Sequence, residues 1–279
     1  MKLKTSFLET PTRNKIAVYS IYNSPENLAV FLCHGISYSC IPAFFTTIEG
    51  ISFAEHLAKE GFNVYACDYL GYGKSQLFEA ENEVTVQTSL ESVEISIDYF
   101  MKKDGLKKLN ILGWSWGAQV AGLYSAKHSD DIIKLILYGF KWHFSRWNKQ
   151  GFEFNLDEKR KKHDLSFIRS DFTNNETIIP EALENYIQQI MLIDPDSPNS
   201  PRQEILAHSF FIHPEKIICP TMLIYGTDDR TIDEKDLDLF YKRLSCKDKK
   251  IIKVFGGHAI HLEKGYSNFL NLIVEFMST

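Results

Sequence analysis

Short apolar runs alternate along this 279-residue chain with longer segments of helical periodicity. The runs are rich in β-branched and aromatic residues without strict polar alternation, which is typical of parallel strands covered on both faces. The predicted strands are LAVFLCHG (28–35), NVYACDYLG (63–71), LNILGW (109–114), IIKLILYG (132–139), PTMLIYG (220–226) and KKIIKVFGG (249–257). The predicted helices are 52–61, 85–105, 116–129 and 267–278. Strand followed by helix, repeated, predicts a doubly wound α/β domain.

Two segments depart from this alternation. KIAVYSIY (15–22) alternates in polarity, which is compatible with an antiparallel edge strand. From about Lys141 to Glu215 no core strand is evident, and this length exceeds an ordinary connection. Its aromatic residues are Trp142, Phe144, Trp147, Phe152, Phe154, Phe167, Phe172, Tyr186, Phe210 and Phe211. We therefore predict a core of residues 1–140 and 216–279 with a helical cap over 141–215. A cap that covers a site is favoured over an insertion that packs only its own small core.

Composition excludes several classes of protein. The formal net charge is −5, so the chain lacks the excess of Lys and Arg that nucleic-acid binding needs. No nucleic-acid partner is therefore expected. No apolar run is long enough for a secretory signal or for a transmembrane helix, so we expect a cytoplasmic protein without stable membrane insertion. The five cysteines are odd in number and widely spaced, which favours buried, reduced thiols over disulfides or a metal site.

The pentapeptide Gly113-Trp114-Ser115-Trp116-Gly117 lies where a predicted strand becomes a predicted helix. It has the form G-x-S-x-G, in which two glycines allow a sharp strand-to-helix turn that exposes the serine. The pattern also occurs by chance, as a glycine-rich turn with an idle serine. The buried strand before it and the small-residue helix after it favour Ser115 as a nucleophile.

Four further motifs accompany this turn. They are His34-Gly35 after the first buried strand, Asp68-Tyr-Leu-Gly71-Tyr-Gly73-Lys-Ser75 after the next, Gly226-Thr-Asp-Asp229 after a late strand, and Gly257-His258 near the end. In this order and spacing the sequence resembles the α/β-hydrolase superfamily, and within it the capped serine esterases and lipases of the monoacylglycerol-lipase and lysophospholipase type. The resemblance implies an α/β-hydrolase fold with a mostly parallel sheet, an inserted helical cap and a structural role for the Asp68 turn.

A triad of Ser115, Asp229 and His258 is predicted, in the chain order that the superfamily uses. Two glycines before His258 leave its loop free to bring the imidazole to Ser115 as general base. His261 is the alternative base and is more simply a packing group. The family pattern G-x-x-D favours Asp229 over its neighbour Asp228 as the carboxylate that orients the imidazole.

The tetrahedral intermediate of acyl transfer needs donors for its oxyanion. The backbone N–H groups of Trp116, just after the nucleophile, and of Ile36, after His34-Gly35, are the predicted donors. Ser37 and Tyr38 are candidate substrate contacts. Trp114 is interpreted either as a wall of the acyl pocket or as core packing.

The predicted function is a serine hydrolase that cleaves a carboxylic ester or lactone through an acyl-enzyme, without metal or organic cofactor. The aromatic cap indicates a small-molecule substrate with a substantial apolar part. An acyltransferase or thioesterase that uses the same triad is the alternative, and a ligand receptor without turnover is disfavoured. Acyl and alcohol identity, pathway and oligomeric state do not follow from the sequence.

Overall fold

The fold is known from a computed structural model that describes residues 2–78, 84–143, 158–207 and 211–279. Its strands are β1 (Lys4–Glu9), β2 (Lys15–Ile21), β3 (Leu28–Cys33), β4 (Thr47–Ile48), β5 (Ile51–Ser52), β6 (Phe62–Cys67), β7 (Leu109–Trp114), β8 (Ile132–Tyr138), β9 (Arg160–Lys162), β10 (Asp196–Pro198), β11 (Thr221–Gly226) and β12 (Lys249–Val254). Its helices are α1 (Cys40–Phe45), α2 (Phe53–Lys59), α3 (Val86–Asp104), α4 (Trp116–Lys127), α5 (Leu165–Arg169), α6 (Pro180–Ile193), α7 (Ser200–Ala207), α8 (Glu234–Arg243) and α9 (Tyr266–Ser278).

Eight strands form the main sheet within the described ranges, in the order β1-β2-β6-β3-β7-β8-β11-β12. Every neighbouring pair from β6 to β12 is parallel. The β1–β2 and β2–β6 pairs are antiparallel. The six predicted buried strands correspond to β3, β6, β7, β8, β11 and β12, so the predicted α/β-hydrolase fold is confirmed.

The sheet separates two apolar cores because successive side chains of a strand point to opposite faces. In β3, Phe31 packs in the core that contains Val93 of α3, whereas Val30 packs in the core that contains Leu57 of α2 and Phe269 of α9. Both side chains of β3 are fully buried. Helices therefore cover both faces of the sheet, as the runs without polar alternation predict.

Local sequence signals determine where the long helix α3 begins and ends. Thr85 forms a capping box with Thr88, and each side chain accepts a hydrogen bond from the other residue's backbone N–H. At the other end, Gly105 takes a left-handed conformation with φ 69°, which glycine adopts at little cost. The predicted range 85–105 therefore consists of a helix over Val86–Asp104 and its two caps.

Three features of the sheet and its helices differ from the predictions. KIAVYSIY is antiparallel as predicted, but β1 pairs on its outer side, so it is not the edge strand. The strand predicted over 249–257 is β12, which lies at the other edge and is largely exposed. Its lysines suit an edge, where charge opposes pairing with another chain. The helix α8 was not predicted.

The longest described part of the predicted cap, residues 158–207, adds no strand to the main sheet. It consists of α5, α6 and α7, and its strands β9 and β10 pair only with each other. Asp194 joins this segment to the core, because its carboxylate accepts hydrogen bonds from the Ser39 N–H (2.8 Å) and hydroxyl (2.7 Å). The boundaries 141 and 215 stay a prediction, and the aromatic residues Phe144, Trp147, Phe152, Phe154 and Phe210 lie outside the described residues.

Two sequence expectations concern cysteines and membrane spans. All five cysteines are free and buried, as predicted. None of the helices in the described ranges combines the length and the hydropathy that crossing a bilayer requires.

Candidate active site

The predicted nucleophile occupies a tight turn between β7 and α4. Ser115 lies alone between the two elements, with φ 59° and ψ −118°. A positive φ is uncommon outside glycine and persists only where surrounding structure holds it. A Cβ on Gly113 would overlap the carbonyl oxygen of Gly117, and a Cβ on Gly117 would overlap that of Cys33. The two glycines therefore allow the close approach of helix and strands that the sequence predicts.

Gly117→Ala should destabilise the fold by about 3 kcal/mol or more, because the new methyl meets backbone that cannot move aside. Gly122→Ala is the matched control in the same helix, since the three atoms nearest its methyl all belong to the Ile212 side chain, whose terminal methyl can turn aside, and none is backbone. We expect the control to stay within about 1 kcal/mol of the wild type. Urea unfolding of the two variants measures the difference, and equal midpoints would contradict the argument.

The predicted acid and base are joined by a hydrogen bond. Asp229 follows β11 and His258 follows β12, and the Asp229 Oδ2 lies 2.7 Å from the His258 Nδ1. The other carboxylate oxygen accepts hydrogen bonds from the Thr231 N–H (2.9 Å) and hydroxyl (2.6 Å). An ionised carboxylate accepts from Nδ1–H, which leaves Nε2 as the proton acceptor. Thr231, which the sequence analysis did not identify, thus holds the carboxylate.

Electrostatics reinforce this pair. Burial is the largest single influence and disfavours the charged form of both groups. Their mutual attraction and hydrogen bond, with Asp171 and Glu263 near the imidazole and Thr231 at the carboxylate, together outweigh it. The pKa of Asp229 is therefore lowered from its ordinary value, and the pKa of His258 is raised. The imidazole is thus positioned as a base of increased strength.

The alternative carboxylate, Asp228, has a different environment. It accepts hydrogen bonds from the Asn174 side-chain amide (3.1 Å) and the Thr227 hydroxyl (3.0 Å). Its backbone carbonyl accepts a hydrogen bond from the Thr173 hydroxyl (2.6 Å). Asp228 thus ties its own loop to residues 173–174, while Asp229 contacts the imidazole.

Aromatic side chains hold the backbone of His258. The Trp114 Nε1–H donates to the His258 carbonyl oxygen at 2.9 Å, and the Tyr138 hydroxyl lies 2.8 Å from the same oxygen. The hydroxyl is also 3.1 Å from the His261 Nδ1, and the His261 Nε2 is 2.7 Å from the Ala43 carbonyl oxygen. Burial lowers the pKa of His261 to about 3. His261 is therefore a neutral packing group, and Trp114 both supports His258 and lines the site.

The loop after β3 is held by His34. Its Nε2 accepts a hydrogen bond from the Tyr69 N–H (3.1 Å), so its Nδ1–H donates to the Gly35 carbonyl oxygen at 2.8 Å. Burial lowers the pKa of His34 to about 3, which keeps the ring neutral. Because a trans peptide is planar, a fixed Gly35 carbonyl also fixes the direction of the Ile36 N–H. The Tyr72 hydroxyl donates to the Ile36 carbonyl (2.9 Å).

Two cavities meet at Ser115 and Ile36, which line both. The cavity that we call the apolar pocket, of about 380 Å³, has mostly apolar walls that include Trp116, Gly139 and Ile205. The cavity that we call the polar pocket, of about 270 Å³, is lined by groups that can hydrogen-bond or titrate, including Ser37, Tyr38, Asp171 and His258. All predicted site residues except Asp229 therefore line these pockets, and Asp171 is a lining residue that the sequence analysis missed.

The hydroxyl groups that line the polar pocket differ in their hydrogen-bond partners. The Ser37 hydroxyl accepts a hydrogen bond from the guanidinium of the buried Arg202 at 2.8 Å. The Tyr38 hydroxyl is buried and has no hydrogen-bond partner among the described residues. Within the same ranges, no hydrogen bond joins the Ser115 hydroxyl to the His258 ring, and such bonds are often long before substrate binds.

One group of possible metal ligands is present in the described part of the chain. The side chains of His34, Cys40 and Asp68 have ligand atoms within 4.8 Å of one another. Each atom already serves a protein hydrogen bond: the Cys40 thiol donates to a backbone carbonyl, and Asp68 accepts from the Tyr19 hydroxyl and two backbone N–H groups. These groups hold the turn after β6 and offer no free set of ligands, which agrees with the structural role implied for Asp68.

The chain is similar in sequence to a known family of proteins and to two curated relatives. A family model described as the alpha/beta hydrolase fold matches residues 29–161. The proteins named monoacylglycerol lipase abhd6-A of Xenopus laevis and monoacylglycerol lipase ABHD6 of Rattus norvegicus are 24% and 23% identical to the chain. Each match covers 71% of this chain, and the chain spans only 65% of each relative's length.

Solved structures share the fold over the whole chain. An esterase from Exiguobacterium antarcticum is similar at a TM-score of 0.73 and 19% identity, covering 99% of this chain and all of its own. The 2-hydroxy-6-oxo-6-phenylhexa-2,4-dienoate hydrolase of a Rhodococcus strain is similar at a TM-score of 0.70 and 17% identity, covering 100% of both chains. The family model, the relatives and the sheet topology agree that this chain has the α/β-hydrolase fold.

Proposed function

We propose that this chain is a serine hydrolase that cleaves carboxylic esters through an acyl-enzyme on Ser115. The observation that carries the proposal is the 2.7 Å hydrogen bond between Asp229 and His258, whose imidazole lines the same pocket as Ser115. A serine on a strained turn, a base and a carboxylate that fixes the base's tautomer are the three groups that this reaction uses.

The chemistry follows from these groups. The Ser115 Oγ attacks the ester carbonyl carbon while the His258 Nε2 accepts the hydroxyl proton. The tetrahedral intermediate then collapses, the carbon–oxygen bond to the alcohol breaks, and His258 returns the proton to the departing oxygen. Water, deprotonated by the same imidazole, then attacks the acyl carbon. The bond between this carbon and the Ser115 Oγ breaks, His258 returns the proton to the Oγ, and the carboxylic acid leaves. Asp229 stabilises the imidazolium that forms in each half-reaction.

Two backbone donors are proposed for the oxyanion. Trp116 is the first residue of α4, so its N–H has no partner within the helix and lies at the positive end of the helix dipole. The Ile36 N–H is the second donor, and His34 fixes its direction through the Gly35 carbonyl. Donors that are fixed before reaction stabilise developing charge without reorganisation.

The substrate is proposed to be lipid-like. The curated relatives are named monoacylglycerol lipases, and the apolar pocket beside Ser115 suits an acyl chain. In this proposal residues 141–215 form the cap over the site. A lactone or thioester would react by the same steps.

The proposal is tested with p-nitrophenyl esters of graded acyl length, followed by lactones and thioesters. We expect hydrolysis with an optimum of acyl length, because the pocket is of limited volume. A folded protein that hydrolyses none of these compounds would contradict the proposal and favour a receptor that binds without turnover. Transfer of the acyl group to an added alcohol, in preference to water, would instead assign the site to an acyltransferase.

A further inference from the structure

One carboxylate in the polar pocket has no part in the proposed triad. Asp171 follows α5 and lines the pocket together with Ser115 and His258. Its Oδ2 accepts a hydrogen bond from the Tyr186 hydroxyl at 3.1 Å, the one hydrogen bond its side chain makes within the described ranges. No Lys or Arg of the described residues forms an ion pair with it. Asp171 therefore brings unused acceptor capacity to the reacting groups.

A second polar group in this pocket also lacks a partner. Tyr38 is 4% exposed, and its hydroxyl has no hydrogen-bond partner among the described residues. Buried polar groups are nearly always hydrogen-bonded, so an unpaired hydroxyl on a residue that lines a cavity is a candidate contact for a ligand in that cavity. The pocket thus presents an acceptor, Asp171, and a group that can either donate or accept, Tyr38.

The position of His258 identifies which part of an ester the polar pocket receives. The imidazole that protonates the departing oxygen must lie beside that oxygen. His258 lines the polar pocket, whereas the apolar pocket continues from Ser115 towards Trp116 and Ile205. The alcohol portion of the substrate therefore occupies the polar pocket, and the acyl portion occupies the apolar pocket.

Charge further restricts the alcohol. The Asp171 carboxylate is attracted electrostatically by His258 and repelled by two other carboxylates, Asp229 and Glu263. Burial is the largest influence and raises the pKa of Asp171 to about 6, so the carboxylate is mostly ionised at neutral pH. Next to Asp171 these charges disfavour an anionic alcohol and favour one that donates hydrogen bonds. The buried Arg202 guanidinium brings a positive charge to the same pocket, where it donates to the Ser37 hydroxyl.

We propose that Asp171, together with the Tyr38 hydroxyl, recognises a hydrogen-bond donor in the alcohol portion of the substrate ester. The donor is a hydroxyl, as in a polyol, or an ammonium group. This inference rests on the proposed ester hydrolysis at Ser115. It adds a residue that determines specificity for the leaving group and that takes no part in bond cleavage.

The test compares esters that share one acyl chain and differ in the alcohol. The alcohols are propanol, glycerol, 2-(dimethylamino)ethanol and 3-hydroxypropanoate, which offer respectively no donor, a neutral donor, a cationic donor and an anion. Measurements at about pH 7.5 keep Asp171 ionised. We expect the wild type to prefer the glyceryl or the ammonium ester over the propyl ester by about tenfold or more in kcat/KM.

Asp171→Asn keeps the side chain's size and removes its charge. It should reduce that preference to about threefold or less. Because the Asp171 charge also raises the pKa of His258, the preference is taken as the ratio of kcat/KM between two esters in the same variant, in which a change of the base cancels. Asp164→Asn is the matched control, because Asp164 caps α5 through the Phe167 N–H at 2.8 Å and asparagine caps equally well. Tyr38→Phe is a second variant and should weaken the same preference.

The outcomes separate the inference from the function on which it depends. A preference unchanged in a folded Asp171→Asn, an equal loss on the propyl ester, or a best rate with the anionic ester would each overturn the role of Asp171. Failure of the wild type to hydrolyse any of the esters would instead overturn the proposed function, and the inference with it. A preferred glyceryl ester identifies a neutral donor, and a preferred ammonium ester identifies a cationic one; either supports the inference.

Discussion

Ser115→Ala should lower kcat for ester hydrolysis by about 10⁴-fold or more, since a triad without its nucleophile retains only binding and oxyanion stabilisation. The methyl group fits the space of the hydroxymethyl group, so the melting temperature should change little. Steady-state rates on a p-nitrophenyl ester, beside circular dichroism, measure both quantities.

Ser125→Ala is the matched control for this variant. Ser125 lies on the same helix, and its hydroxyl donates to the Ala121 carbonyl oxygen at 2.8 Å, away from both pockets. We expect it to keep its activity. Comparable rates for Ser115→Ala and the wild type would show that hydrolysis does not proceed through Ser115.

Asp229→Asn should lower kcat by about 10⁴-fold, because an amide no longer fixes the tautomer of His258 or stabilises the imidazolium. The same change should alter the pH dependence. His258 acts as a base only when neutral, so activity rises with pH through its pKa. Burial lowers that pKa, but Asp229, with smaller contributions from Asp171 and Glu263, raises it above its ordinary value. Removal of the Asp229 charge should therefore move the midpoint of residual activity to lower pH.

Asp228→Asn is the variant that distinguishes the role of Asp228 from the role of its neighbour Asp229. Its side chain contacts Asn174 and Thr227 and makes no hydrogen bond to the imidazole, so we expect nearly full activity and an unchanged pH midpoint. The kcat/KM of both variants across the pH range measures the difference. If Asp228→Asn lost activity and Asp229→Asn kept it, the assignment of the orienting carboxylate would be reversed.

The sequence was sufficient to predict the parts of the fold that depend on local pattern. Continuous apolar runs predicted the parallel strands, and Thr85 and Gly105 are local signals for the ends of α3. The turn at Ser115 was predictable because the close contacts at Gly113 and Gly117 permit only glycine. Strand β12 was predicted to be buried because it contains the apolar residues Ile251 and Ile252. The sequence does not reveal that none of the described strands pairs on its far side.

Other parts of the candidate site depend on contacts between distant segments. Tyr138 is the last residue of a core strand, so the sequence predicts only that its side chain packs in the core. The fold brings its hydroxyl to the His258 carbonyl, which is 120 residues away in the chain. Asp171 lies in a segment without periodic pattern, where nothing distinguishes it from a solvated aspartate. Thr231 was missed because the motif that predicts Asp229 ends two residues earlier.

The central claim is that Ser115 is the activated nucleophile. A fluorophosphonate probe tests it most directly, since such probes form covalent adducts with serines activated by a base. Intact mass spectrometry followed by peptide mapping should find one adduct per chain, on Ser115, and none on Ser115→Ala. An adduct on another residue, or ester hydrolysis that continues without any adduct, would contradict the account.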